Sequence, residues 1–176
     1  MLNEIVLAGF GGQGILFAGK ILAYAGLMDN KEISWLPSYG PEMRGGTANC
    51  SVCISDDPIG SPLVVDPDML IVMNEPSFDK FIDNVKPGGT VIVDSSMVDK
   101  KCNRDDISVY YLPASSLADE NGMTGMANII LLGKFIKETK IISLNTLESA
   151  FDKAIPPKKK NLIEVNMNAV RLGMEQ

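Results

Sequence analysis

An open, mostly parallel α/β sheet with helices on both faces, a Rossmann-like three-layer sandwich, is the fold class predicted by three features of the sequence. Apolar runs of strand length alternate with runs of helix length, turn residues cluster between them, and a glycine-rich loop separates the first strand from the first helix. The 176 residues are 45 % hydrophobic and 22 % charged, an ordinary globular composition. Length over ~150 predicts one domain, spanning 1–176. A chain of this size buries roughly 70 % of its unfolded surface, so its core needs no disulfide or structural metal.

The elements follow in order. Residues 5–8 form a short apolar strand. Residues 15–28 are apolar for too long to be a strand and read as a buried helix. A second strand is expected over 33–36, ended by Pro37, and a third over 47–54, where the alternation has period two. Residues 56–62, rich in Asp, Pro, Gly and Ser, make a turn-rich connector. Strands are expected over 69–73 and 90–93, with an amphipathic helix over 76–85 that carries Pro at its start and a Pro87-Gly88-Gly89 turn after it. Beyond the polar loop 99–106, residues 109–112 are the last strand. The remainder is helical: a short turn near Leu117, then segments over 125–137, 145–154 and about 158–172.

Composition excludes several kinds of chemistry. Acidic residues number 22 against 16 basic, a formal net charge of −6, and no long Lys/Arg stripe is present, which disfavours nucleic acid and anionic membrane as partners. Histidine is absent, which removes Ser-His-Asp and Cys-His triads, imidazole bases and His-containing metal sites. Three cysteines, an odd number, suit a reducing cytoplasm. The first residues lead into an apolar strand without the basic region of a signal peptide, and no apolar run approaches the ~20 residues of a membrane span. A cytoplasmic protein is expected.

Gly9-Phe10-Gly11-Gly12-Gln13-Gly14 satisfies G-x-G-x-x-G between a strand and a helix. Glycines there permit positive φ and close backbone approach, while a helix N-terminus offers free N–H groups to an anion. The dinucleotide fingerprint also requires an acidic residue ending the second strand; that strand ends Trp35-Leu36-Pro37-Ser38, and Glu32 precedes it. Bound NAD is thereby disfavoured, beside two other readings: a turn that only packs strand against helix, and a loop that holds another anionic group. Residues 14–21 match the phosphate loop G-x-x-x-x-G-K-[ST] until Ile21, which cannot ligate magnesium, so an NTPase is rejected and Lys20 is the polar exit of a buried helix. Cys50 and Cys53 form C-x-x-C, but strand alternation sends the two thiols to opposite faces, and no second pair completes a metal set.

The segment 38–46 is rich in glycine and carries Tyr39, Pro41, Glu42 and Arg44. It reads either as a shaped, exposed surface or as a solvated connector. Lys158, Lys159 and Lys160 open the last helix, where cations oppose the dipole; a solvated end and a phosphate or partner contact are the alternatives. Asn128, in Thr124-Gly125-Met126-Ala127-Asn128, is either an amide aimed at a ligand or a hydrogen-bonding group of the helix start.

Taken in order, these motifs resemble the gamma subunit of the 2-oxoacid:ferredoxin oxidoreductases. The residues that carry the resemblance are Gly9 to Gly14, then Tyr39-Gly40-Pro41-Glu42-Met43-Arg44-Gly45-Gly46, then 54–62, 86–93 and 128–133, so it covers nearly the whole chain. Phe10 stands where pyruvate-type chains carry a basic residue, and 40–46 departs from the Gly-Met-Ala-Gln-Arg-Gly-Gly of indolepyruvate-type chains. Both departures make the sequence most similar to the 2-oxoglutarate or branched-chain 2-oxoacid type.

The resemblance implies a complex that decarboxylates a 2-oxoacid on thiamine diphosphate, passes electrons through iron-sulfur clusters to ferredoxin and releases an acyl-CoA. The thiamine site and clusters are expected on alpha, beta and ferredoxin-like delta partners, with no catalytic residue on this chain. Its implied role is structural or to position CoA, whose phosphates the glycine loop would suit. The implied cofactor-binding residues are Gly9, Gly11, Gly12, Gln13, Gly14, Tyr39, Glu42, Arg44, Gly45, Gly46 and Asn128. An isolated copy, stripped of partners, is expected to pair with itself. The competing expectation is a free-standing Rossmann-like module that binds a nucleotide or flavin.

Overall fold

The computed structural model describes residues 1–38 and 47–176. Its strands are β1 (Leu2–Phe10), β2 (Glu32–Ser38), β3 (Thr47–Ser55), β4 (Met69–Val72), β5 (Thr90–Asp94) and β6 (Ser108–Leu112). Its helices are α1 (Ile15–Met28), α2 (Glu75–Phe81), α3 (Ala114–Glu120), α4 (Ala127–Thr139), α5 (Leu144–Ala154) and α6 (Asn161–Glu175). The six strands form one sheet in the order β2-β3-β1-β4-β5-β6. β1, β4, β5 and β6 run parallel, and only β3 is reversed, pairing antiparallel with both β1 and β2. The mostly parallel α/β sheet is therefore what the chain forms.

Period-two alternation in the central strands sends side chains to two separate cores. Ile5, Leu7, Cys50, Val52, Ile71 and Ile92 face one side; Val6, Ala8, Cys53, Leu70, Val72, Val91 and Val93 face the other. The two faces are covered unequally. The first carries α1, α3, α4, α5 and α6 among the described residues, the second only α2 and the turn Ile82–Asn84 that prolongs it. The buried α4 lies between sheet and α6, which explains its nearly continuous apolar sequence from Ile129 to Leu132. It meets α6 through reciprocal glycines: a Cβ on Gly133 would strike the Val170 carbonyl, and one on Gly173 the Ile130 carbonyl.

Three local readings need correction. Pro37 does not end β2; it lies inside it, paired with Cys50, because β2 is an edge strand with no neighbour beyond it among the described residues to miss the N–H. The turn near Leu117 is a two-turn helix, α3. The last helix starts at Asn161, not near Lys158, because Pro156 and Pro157 hold the preceding residues in a short 3₁₀ turn. The segment from Tyr39 to Gly46, with Glu42, Arg44 and Gly45, lies outside the described residues.

Candidate functional site: the glycine loop at the switch point of the sheet

From β1 the chain passes through α1 to β2 on one side of the sheet; from β4 it passes through α2 to β5 on the other. The crevice between the carboxyl ends of β1 and β4 is thus the topological switch point, where open α/β sheets bind their ligands. Gly9 to Gly14 occupies this position. Gly12 and Gly14 have φ of 96° and 74°, a region closed to most side chains. Gly14 caps α1 without any side-chain hydrogen bond, and the first turn of α1 holds no acidic residue. The opening N–H groups of this fourteen-residue helix therefore have neither a side-chain cap nor a first-turn carboxylate to offset their partial positive charge.

Two amides hold the loop from inside. Gln13 folds back so that its Oε1 accepts from the Phe10 N–H at 2.6 Å, while its Nε2 donates to the Met73 carbonyl at 3.2 Å. That closure requires Gly9, since a Cβ there would lie 2.6 Å from Gln13 Oε1. Asn128, 5 % exposed, donates Nδ2 to the Gly14 carbonyl at 3.0 Å, and a Cβ on Gly14 would strike this amide. The same carbonyl also accepts from Ala18 N–H at 3.1 Å. Of the expected site residues, Gly9, Gly11, Gly12, Gln13, Gly14 and Asn128 are therefore brought together. Gln13 thus accepts from the loop and donates to the end of β4, while Asn128 donates to the loop itself.

The loop divides two clefts of different character. One, about 260 Å³, is lined by Phe10, Gly11, Gly12, Gly14, Ile15, Leu16, Phe17 and Ala48, with no charged side chain among the described residues. The other, about 240 Å³, is lined by Gln13, Met73, Ser115, Ala118, Asp119 and Ala127 together with Gly12 and Gly125. Behind the second cleft lies Asp94, fully buried at the end of β5. It accepts from Ser115 Oγ at 2.6 Å, from Ser115 N–H at 3.3 Å and from Ser96 N–H at 3.1 Å. The second cleft thus carries Asp119 at its rim, whereas the described lining on the Phe10 and Ala48 side carries no charge. Sequence reading passed over Asp94 and Ser115. The available signal was an acidic residue closing the apolar run 90–93 at the same end of the sheet as the glycine loop.

Other sequence candidates resolve on geometry. Glu32 opens β2, at the opposite end of the sheet from the glycine loop, and β3 stands between β2 and β1, so no carboxylate at Glu32 could anchor a ribose beside the loop. Ile21 is fully buried within α1, and Lys20 lies 5.4 Å from the Tyr24 ring centroid, which removes the phosphate-loop reading. Cys50 and Cys53 belong to opposite cores; burial pushes the Cys50 thiol up to about 12 and raises that of Cys53. These thiols cannot share an iron-sulfur cluster, and no grouping of metal-ligating side chains is present among the described residues. Lys160 pairs with Asp152 at 2.9 Å. A cavity of about 570 Å³ beside Met28, Glu148 and Asp152 adjoins the C-terminal end of α1, away from the glycine loop. No described helix is long and apolar enough to cross a membrane.

Comparison with known proteins agrees with this frame. Residues 4–176 match the family model described as pyruvate ferredoxin/flavodoxin oxidoreductase. The chain is 42 % identical to the 2-oxoglutarate synthase subunit KorC of Methanocaldococcus jannaschii, covering 99 % of this chain and 94 % of that one. It is 37 % identical to the ketoisovalerate oxidoreductase subunit VorA of Methanothermobacter thermautotrophicus over 98 % of this chain but only 36 % of the relative. Among solved structures, the gamma subunit of a keto/oxoacid ferredoxin oxidoreductase from Geobacter sulfurreducens superposes with a TM-score of 0.83 at 31 % identity, covering 98 % of this chain and 96 % of that one. The chain belongs to the pyruvate ferredoxin/flavodoxin oxidoreductase family, among its gamma-type subunits.

Proposed function

We propose that this chain, a gamma-type subunit of a 2-oxoacid:ferredoxin oxidoreductase, serves the oxidative decarboxylation of 2-oxoglutarate and presents CoA to partner chains that carry thiamine diphosphate and the iron-sulfur clusters. The choice of 2-oxoglutarate rests on the 42 % identity to a 2-oxoglutarate synthase subunit along almost the full length of both chains. The observation that carries the CoA role is the N-terminus of α1 behind Gly12 and Gly14, without a side-chain cap and beside a cleft whose described lining carries no charge. CoA, when bound, supplies the thiol that receives the acyl group. This chain's part is binding: loop N–H groups meet a phosphate oxygen, and Phe10, Leu16 and Phe17 give the cleft its apolar lining.

Gly9, Gly11, Gly12 and Gly14 form the proposed contact surface, with Gln13 and Asn128 holding its shape. Tyr39, Glu42, Arg44, Gly45 and Gly46 remain proposed as ligand contacts on the basis of the family resemblance. Alpha, beta and ferredoxin-like delta chains are the proposed partners, and the cytoplasm the proposed compartment. The test is anaerobic affinity purification of this chain from its own cell, followed by CoA-dependent dye reduction with a panel of 2-oxoacids. Co-purified partners active on 2-oxoglutarate support the proposal. Recovery of the chain alone and inactive, or activity confined to another 2-oxoacid, contradicts it.

A further inference from the structure

The second face of the sheet is left half bare. α2 covers β1, β4 and β5 there, but over β3 and β2 the described residues leave an open groove of about 420 Å³. Its floor is Asn49 and Ser51, one wall is Leu36 of β2, another is Leu63, and the wall along α2 is Lys80 and Phe81. Leu36 is 38 % exposed, Leu63 61 % and nearby Val65 62 %, a concentration of exposed aliphatic side chains beside a sheet. In a chain that is 22 % charged, Lys80 is the single charged residue lining this groove among the described residues. Depletion of charge around aromatic and aliphatic side chains is the composition of an interface core. Lys80 lies 5.1 Å from the Phe81 ring centroid and forms no ion pair among the described residues, whereas its neighbour Asp79 is paired with Lys100 at 2.6 Å.

We infer that this groove docks the larger, catalytic partner of the oxidoreductase, which inserts an apolar ridge between Leu36 and Leu63 and sets a carboxylate against Lys80. Two observations select this occupant over a second copy of the chain. The VorA relative carries the matched domain as only 36 % of one polypeptide, so the equivalent domain shares a chain with a larger portion of its enzyme. The lone cation also asks for an acidic complement, and a second copy related by two-fold symmetry would bring the same groove, and the same ammonium, to the contact. The inference rests on the proposed membership of a multi-subunit complex and adds to it the surface and its chemistry.

The test uses the complex assembled by co-expression, with the tag on this chain. Leu63→Asp and Lys80→Glu alter exposed side chains and are expected to leave the melting of the chain unchanged while lowering recovered partner by roughly tenfold, the loss typical of a central contact. Leu162→Asp, at an exposed position of α6 on the other side of the molecule, is expected to keep full recovery. Equal recovery by all three variants overturns the docking while leaving the proposed function standing. Recovery of no partner even by the unaltered chain overturns both. A self-associated chain dispersed by Leu63→Asp whose partner binding is undiminished assigns the groove to a second copy and overturns the proposal.

Discussion

Asn128, second residue of α4, donates its side-chain amide to the carbonyl of Gly14, the residue that opens α1, at 3.0 Å. This bond, 114 residues apart in sequence, fixes the starts of two helices against each other at the carboxyl end of the sheet. Asn128→Ala removes the donor from a buried site. The expected cost is about 1–2 kcal/mol, the range for a lost buried hydrogen bond, read as a lower melting temperature. Because the bond also sets the direction of the α1 N-terminus, the KM for CoA is expected to rise in the assembled enzyme.

Gly133 and Gly173 let α4 and α6 cross with backbones in contact. Alanine favours a helix over glycine by about 1 kcal/mol, so Gly133→Ala would be stabilising on propensity alone. The added Cβ, however, meets the Val170 carbonyl, which is backbone and cannot rotate away. Overpacking of about 1–3 kcal/mol wins, and denaturant unfolding is expected to show a net loss for either Gly133→Ala or Gly173→Ala.

Thiol chemistry follows from burial. Cys50 and Cys53 are buried with thiols raised above the usual range, while Cys102 is only half-buried. Iodoacetamide at pH 8 is expected to label Cys102 in the native chain, with Cys50 and Cys53 reacting only after unfolding. Peptide mass spectrometry reads the order directly.

Asp56 stabilises the fold only where it is ionised. Hydrogen bonds first from Lys31 and then from the amino group of Met1 hold its carboxyl near 2, below the ordinary 3.8. A lowered folded-state pKa gives stability that is present above the ordinary value and is lost as pH falls from about 4 to about 2. Melting temperatures of the unaltered chain and Asp56→Asn are expected to differ at pH 6 and to converge by pH 2. The difference is small, since the pair is exposed to solvent.

The sequence made the frame legible where one residue pattern had one physical solution. The apolar run, glycines and long apolar stretch at 5–28 permit only strand, tight loop and buried helix, and the structure has α1 at Ile15–Met28. Alternation alone separated Cys50 from Cys53. The reversal of β3 was not legible, because a strand with alternating faces looks the same in either direction. Pro37 misled because its tolerance depends on β2 being an edge, a property of strand order. Asp94 escaped notice because its partner Ser115 lies 21 residues away. The sequence puts Gln13 within the loop and leaves Asn128 as either a ligand amide or a hydrogen-bonding group of the helix start; that Asn128 reaches the Gly14 carbonyl, and Gln13 both Phe10 and Met73, depends on tertiary packing that no local pattern announces.

The most direct measurement compares KM for CoA with KM for 2-oxoglutarate in the assembled oxidoreductase carrying Gly12→Asp. Gly12 is exposed at the mouth of the loop with no atom within 4 Å of an added Cβ, so the substitution introduces a carboxylate with little steric conflict and local strain at φ 96°. KM for CoA is expected to rise roughly tenfold or more, the effect of about 1.4 kcal/mol of repulsion, with KM for 2-oxoglutarate unchanged. Unchanged values for both, or an equal rise in both, would contradict the placement of CoA at the glycine loop.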